Sequence, residues 1–285
     1  MSILASNPKL ADPLAGIWPE LDSTLYSLEE DEATFFKTQT GIQDDEELKK
    51  HILAVQATAY AIYGYPCIRR FAFLRLKISR LPAYKDVLRL GKERKGAILL
   101  DLGCCFGNDI RKAVVDGFPI EGAIASDLQQ GFWDAGHELF RSTPVTCPIK
   151  FIAGDAFDPT HIQPQGPIYE VPGTAAPDDL KSLTSLTPLL GHISAIHTSS
   201  FFHLFNEEKQ FELAKIVAGL LSTKPGSIIF GAHGGLPEKG LRVRTIPGRA
   251  HRMFCHSPET WCELWDGQVF RKGTVKVEAK LVHVE

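Results

Sequence analysis

Residues 97–109 form an apolar run, Ala97-Ile98-Leu99-Leu100, that ends in Asp101 and passes at once into the turn Gly103-Cys104-Cys105-Phe106-Gly107. Asp101, Gly103 and Gly107 fit an acid-x-Gly-x-Gly-x-Gly spacing, with Cys105 in place of one glycine. The residue types suit a ligand with an amino-acid end. Glycine lets the backbone turn sharply and approach a ligand closely. The first amides of a following helix are unpaired donors for a carboxylate. Asp101 can attract an amino group. A dinucleotide fingerprint needs glycines at the first, third and sixth turn positions. Those positions hold Gly103, Cys105 and Asn108, so two of the three fail. The spacing therefore predicts an S-adenosylmethionine (SAM) site rather than a nicotinamide site.

Two further acids close β-like runs. Ile120 to Ala125 ends at Ser126-Asp127-Leu128. An acid at the tip of a second strand, about 20 residues after the glycine turn, accepts from ribose hydroxyls in nucleoside sites. Ile149 to Ala153 ends in Gly154-Asp155-Ala156-Phe157. There Asp155 can accept from an adenine amino group, the Ala156 amide can donate to a ring nitrogen, and Phe157 can cover the base. His197 and Thr198, closing a fourth run, complete the expected cofactor contacts. A single Asp at such a place is ordinarily a cap or turn residue. Three in sequence order point together to a nucleoside.

These motifs need an α/β sheet to position them. The chain has 285 residues, enough for a sizeable core. Hydrophobic residues at 44% and charged residues at 23% are ordinary for a globular protein. A net charge of −3 gives no footprint for nucleic acid. No apolar run is long enough for stable membrane insertion. Met1 to Pro8 lacks the basic-then-apolar order of a signal peptide. The six cysteines form no pair of Cys-x-x-Cys units, which favours reduced thiols and a cytoplasmic setting. His192, His197, His251 and His256 make no metal-ligand spacing with them, and no metal is expected.

The organisation expected is a helical N-terminal cap or lid over 1–95 and a SAM-binding core over 96–285. Asp44 to Glu47 can start a helix whose Leu48, Ile52, Val55 and Ala59 share one face. Tyr60, Tyr63, Tyr65, Phe71 and Phe73 make the cap aromatic. Arg69, Arg70, Arg75, Lys77 and Arg80 make it basic, as a solvated charged face or as part of a lid over an apolar acceptor pocket. In the core, an inserted loop at about 159–190 is too long for a routine connection and is expected near the active site. Ile193 to His197 reads as a fourth strand. Asn206 caps a helix over 207–221, with Phe211, Ala214, Val217 and Leu221 on one face. Ser227 to Gly231 is a fifth strand. A short helix near Pro258 to Trp265 precedes terminal strand material, Thr274 to Val284.

The chain resembles the fungal class I-like SAM-dependent methyltransferases of meroterpenoid biosynthesis, which act on prenylated, dimethylorsellinate-derived intermediates. The resemblance rests on Phe35-Phe36-Lys37-Thr38-Gln39-Thr40-Gly41-Ile42, Tyr65-Pro66-Cys67-Ile68, Leu100 to Asp109 with its double cysteine, Ser126-Asp127-Leu128, Gly154-Asp155, Ser200-Phe201-Phe202-His203-Leu204-Phe205 and His256-Ser257-Pro258-Glu259. It implies a Rossmann-like fold: a mostly parallel seven-stranded sheet, the last strand reversed, with helices on both faces. It also implies a homodimer and methyl esterification of an apolar carboxylic acid. The family motif carries SAM contacts onto Asp127 with Leu128 and Asp155 with Ala156. A carboxylate acceptor, with a pKa of about 4, is already ionised and needs no base. A phenol, near 10, would use one. His203, just past the fourth strand, is the first candidate for that catalytic role and His233 the second. The Arg69-Arg70 pair, Arg242 or Arg244 could supply a cation. The alternatives are phenol O-methylation with His203 as base, an NAD(P)-dependent oxidoreductase, and a non-catalytic SAM-binding protein.

Overall fold

A computed structural model describes residues 19–246 and 249–283. The readings made on Met1 to Pro8 and on Val284, and on the side chains of Arg244 and His251, lie outside the described residues. Helix α1, Glu30–Thr40, opens on a reciprocal cap between Glu29 and Glu32 and closes on Gly41, whose φ of 74° is left-handed. Helix α2, Asp45–Ile62, starts on Asp44, whose Oδ1 accepts from the Glu47 amide at 2.9 Å. Its Leu48, Ile52, Val55 and Ala59 are all buried, as their spacing requires. A single turn, α3 (Pro66–Arg69), two short 3-10 turns and α4 (Tyr84–Glu93) complete the N-terminal part.

The charged face of this region is only partly a solvated one. Glu32 is fully buried and holds the guanidinium groups of Arg75 and Arg80, the latter at 2.8 Å. A buried carboxylate persists only when paired, so these two arginines are structural. Arg69 is also committed, its Nε donating to the Glu20 carbonyl at 2.7 Å.

The core then alternates strand and helix: β1 (Leu99–Leu102), α5 (Asn108–Val115), β2 (Ala123–Asp127), α6 (Gln130–Leu139), β3 (Lys150–Ala153), β4 (Ala195–His197), α7 (Glu207–Leu220) and β5 (Ile228–Phe230). The strands lie in the order β3-β2-β1-β4-β5, all parallel. Their short apolar runs suit a sheet covered on both faces. Leu100, Leu102, Ile124 and Ile196 pack with α7 residues such as Leu213 and Val217. Leu99, Ala123, Ala125 and Ala195 pack on the other face with Val87 of α4 and Ile110 of α5. The chain winds outward from β1 to β3 and then returns to β4, so β1 and β4 form the switch point where open α/β sheets bind ligands. The register sets Asp101 opposite His197, and Asp127 opposite Ala153, along the carboxyl edge.

Three expectations are corrected. The described residues form a five-stranded parallel sheet, not seven strands in one sheet. The hairpin of β6 (Gly240–Ile246) and β7 (Arg249–Cys255) is antiparallel and pairs only with itself. Leu241 and Val243 of β6 are 58% and 56% exposed, so the strand lacks the two-sided apolar character of a central strand. After α8 (Pro258–Trp265), residues 274–283 form no strand; Val275 and Val277 pack against the core and give the alternation without a ladder. The inserted loop is anchored by buried Leu183, Leu186 and Leu189. Its residues 171–176 line a cavity of about 390 Å³ with Gly96, Ser194 and Ser222, which precede β1, β4 and β5. That part of the loop lies at the amino edge of the sheet, whereas His161 near its start reaches Ser126 Oγ at 3.1 Å by the carboxyl edge.

Removing the buried acid tests how the N-terminal part is held. Glu32→Gln should destabilise the protein by about 1–3 kcal/mol in urea unfolding, since it removes the buried counter-charge that two arginines share and leaves them with the exposed Glu29 and Asp31. An unchanged midpoint and slope would show that the ion pairs contribute nothing.

Candidate active site

The turn after β1 is built from left-handed positions. Gly103, Cys105 and Gly107 have φ of 76°, 53° and 71°. The amides of Gly103 and Cys104 donate to the Ser126 carbonyl at 2.8 and 3.2 Å, which ties the turn to β2. Gly107 is required by space as well as by conformation, since a Cβ there would come within 2.4 Å of the Trp133 ring. At Gly103 a Cβ would meet the Phe201 ring at 2.9 Å. Cys105 holds the same kind of backbone without being glycine, and packs against the aromatic cluster of the N-terminal region. Burial pushes the Cys104 and Cys105 thiols well above their ordinary range, so neither is a thiolate nucleophile at neutral pH.

At the switch point Asp101 Oδ1 and His197 Nδ1 lie 2.8 Å apart, both side chains buried. His197 Nε2 meets Ser199 Oγ at 2.8 Å, and that oxygen also accepts from the Ala232 amide. Burial lowers the His197 pKa, but the charge and hydrogen bond of Asp101, with Asp109 beyond, outweigh it and raise the group above its ordinary value. Asp109 itself is pushed up by burial and accepts from the Ile78 amide at 2.9 Å. Two buried polar atoms here have no partner among the described residues: Asp101 Oδ2 and Thr198 Oγ1.

Along the same edge, Asp127 ends β2. Its Oδ2 accepts from the Cys105 amide at 2.9 Å and its Oδ1 from the Gln129 amide at 3.1 Å. Each carboxylate oxygen retains a second lone pair for a ligand. Burial pushes Asp127 up against these bonds. Leu128 beside it is half-buried. After β3, Asp155 Oδ1 accepts from the Phe157 amide at 2.9 Å, shaping the turn that presents Ala156. Phe157, Phe205 and Phe201 form a wall of edge-to-face rings, with centroids 5.0 and 5.4 Å apart, that runs back to Gly103. The structure therefore brings Asp101, Gly103, Cys105, Gly107, Asp127, Leu128, Asp155, Ala156, Phe157, His197 and Thr198 to one edge.

His203 lies beyond this row. Its Nδ1 accepts from the Gly234 amide at 3.2 Å, which places the proton of the neutral ring on Nε2. His233 is wedged between Phe202 and Trp261, and burial lowers its pKa to about 3. The lowered value keeps the His233 ring neutral at ordinary pH. Sequence reasoning missed three residues at or under the edge. Phe201 covers Gly103. His161 packs beneath Gly154 and reaches Ser126 Oγ at 3.1 Å. Lys77 reaches in from the N-terminal region to Ser200 Oγ at 3.2 Å. All three depend on contacts distant in sequence. Among the described residues no group of His, Cys, Asp or Glu could hold a metal, and no helix is long and apolar enough to cross a membrane.

Comparison with known proteins decides the family. Residues 21–74 match the family model described as the meroterpenoid methyltransferase N-terminal domain. The chain is 33% identical over 229 residues to the O-methyltransferase phiE of a fungal species (strain ATCC 74256), covering 80% of this chain and 68% of that protein. It is 35% identical over 219 residues to the asnovolin E/chermesin D methyltransferase nvfJ of Aspergillus novofumigatus (strain IBT 16806), covering 77% of this chain and 69% of that protein. The chain belongs to the fungal SAM-dependent meroterpenoid methyltransferases. Among solved structures, an S-adenosylmethionine-dependent methyltransferase from Mesorhizobium loti matches at 14% identity and a TM-score of 0.38, over 66% of this chain and 80% of that one. That likeness adds nothing to the topology above. Family membership removes the nicotinamide alternative and the non-catalytic one.

For this methyltransferase the turn makes two contrasting demands. Gly103→Val should abolish SAM binding in calorimetry, through backbone strain and collision with Phe201, whereas Cys105→Gly should bind normally because its φ suits glycine. A folded Cys105→Gly protein that cannot bind would show a role for the thiol. The raised His197 value has a definite sign. Its contribution to stability is complete below the ordinary histidine value of about 6.5 and is lost as pH rises through the folded-state value. The stability difference between the wild type and His197→Gln, followed by urea unfolding, should therefore shrink as pH increases. A difference that grows would contradict the ion pair.

Proposed function

We propose that this methyltransferase esterifies the carboxylate of a bulky, apolar, prenylated polyketide acid in fungal secondary metabolism. The methyl donor would lie along the carboxyl edge of the sheet. The residues there fit it: a buried carboxylate oxygen on Asp101, unpartnered among the described residues, suits an ammonium group, and the left-handed backbone at Gly103 turns with no side chain in the way. Asp101 with His197 and Thr198 would hold the amino-acid end, and Gly103, Cys105 and Gly107 would give it room. Asp127 with Leu128 would grip the ribose, and Asp155, Ala156 and Phe157 the adenine. The aromatic N-terminal part, residues 1–95, would cap the core of 96–285 and shape the acceptor pocket.

SAM supplies an electrophilic methyl group on a sulfonium, and the acceptor oxygen displaces the sulfur. The protein's part is to align the acceptor with that methyl group and to exclude water. The observation that favours an ester over a phenol ether is the state of the two histidines. His203 Nδ1 is engaged by the Gly234 amide, and His233 has a pKa lowered to about 3. A carboxylate asks neither for help. His203 then orients the loop after β4 instead of taking a proton. The relative nvfJ is named an asnovolin E/chermesin D methyltransferase and the matching family model is that of meroterpenoid methyltransferases, which supports a terpenoid acceptor. All six cysteines are free, which is compatible with a reducing, cytoplasmic setting. The homodimer rests on the family resemblance alone.

Incubation with labelled SAM and a panel of prenylated aromatic acids tests this reading. The product should carry its new methyl group as a base-labile ester. His203→Ala should lower turnover only modestly, against the 10²–10⁴-fold typical of losing a general base. The pH profile should lack a rising limb near about 6.5. A methyl ether on a ring hydroxyl, with collapse of activity in His203→Ala, would overturn the ester in favour of base-assisted phenol methylation.

A further inference from the structure

Lys77 is a half-buried cation with no carboxylate partner among the described residues. Its neighbours Arg75 and Arg80 are both spent on Glu32. Lys77 instead donates to Ser200 Oγ at 3.2 Å. Ser200 lies in the loop after β4 with a left-handed φ of 56°, and its amide is fixed to the Ala232 carbonyl at 2.7 Å. The next residue along the chain, Ile78, donates its amide to Asp109 at the start of α5. The Lys77 charge acts on Cys105 in the turn, on Asp109, and on His197 at the end of β4. The ammonium therefore stands between the two loops that flank the switch point. Asp109 and His197, which feel Lys77, also feel Asp101.

An α-amino acid carries an ammonium and a carboxylate on one carbon. A site can recognise both with one fixed negative charge and, beside the helix amides that receive a carboxylate, one fixed positive charge. Asp101 offers a buried, unpartnered oxygen for the first. We propose that Lys77 is the counter-charge for the second, the carboxylate of the methyl donor's amino-acid end. The inference rests on the donor site described above. It makes the N-terminal part a contributor to cofactor binding as well as a cover for the acceptor. It also explains why a polar, strained serine occupies position 200: its hydroxyl holds the lysine tip at the mouth of the turn when no anion is there.

Three ligands separate the possibilities by calorimetry: S-adenosylhomocysteine, its decarboxylated analogue, which keeps the ammonium, and 5′-methylthioadenosine, which lacks the whole amino-acid end. Lys77→Met should lower affinity for S-adenosylhomocysteine at least tenfold, as expected for a lost charge-assisted hydrogen bond. Affinity for the other two ligands should change less than twofold. Lys77→Arg should recover most of the loss. Equal losses for all three ligands would mean a structural lysine and overturn the proposal. An unchanged S-adenosylhomocysteine affinity with a raised KM for the acceptor would assign Lys77 to the acceptor and overturn it too. Wild-type protein that fails to prefer S-adenosylhomocysteine over 5′-methylthioadenosine would instead sink the donor-site reading itself.

Discussion

A buried carboxylate and a buried imidazole, 2.8 Å apart, join the ends of β1 and β4 at the switch point of the sheet. Desolvating both groups is expensive, and the arrangement persists because each satisfies part of the other. The constraint propagates in both directions. His197 fixes Ser199, and Ser199 fixes the Ala232 amide after β5. Asp101 keeps one oxygen with no partner among the described residues. A fold that leaves a buried acceptor unsatisfied pays for it in stability unless something else completes it. In the function proposed above, a ligand ammonium completes it, which would link the stability of the sheet to the chemistry at its edge.

The second constraint is shared packing between the turn and the N-terminal part. Phe106, inside the turn, is buried among Phe73, Phe132 and the face of α2. Gly136 of α6 allows that contact, because a Cβ there would lie 2.2 Å from the Phe106 carbonyl. The backbone of the turn is thus clamped from behind by aromatic rings. The same packing delivers Ile78 to Asp109 and Lys77 to Ser200. The N-terminal aromatics and the turn residues Cys105 and Phe106 belong to one hydrophobic cluster.

What could be seen in the sequence was local. Acids that close apolar runs, glycines at turn spacing and the apolar face of α2 are properties of a few consecutive residues, and they stand where expected. What could not be seen depends on partners far away. Phe201 against Gly103, His161 beneath Gly154, and Glu32 between Arg75 and Arg80 have no signature within their own segments. The same limit explains the miscounted sheet. Alternation at Thr274 to Val282 looks like a strand, yet a strand needs a neighbour, and Val275 and Val277 use their apolar side to pack on the core instead. The place of His203 past β4 is legible in its own segment, but its bond from the Gly234 amide, which sets the tautomer of the neutral ring, is a contact 31 residues away.

The central claim is that a nucleoside donor lies along the edge from Asp101 to Asp155, with Asp127 at its middle. Calorimetric titration of wild type and Asp127→Ala with S-adenosylhomocysteine tests it most directly. Asp127 would supply charge-assisted hydrogen bonds to the ribose, each worth about 1.5–3 kcal/mol. The account predicts that affinity falls at least tenfold while the circular dichroism spectrum stays native. Unchanged affinity in a folded Asp127→Ala protein would contradict it.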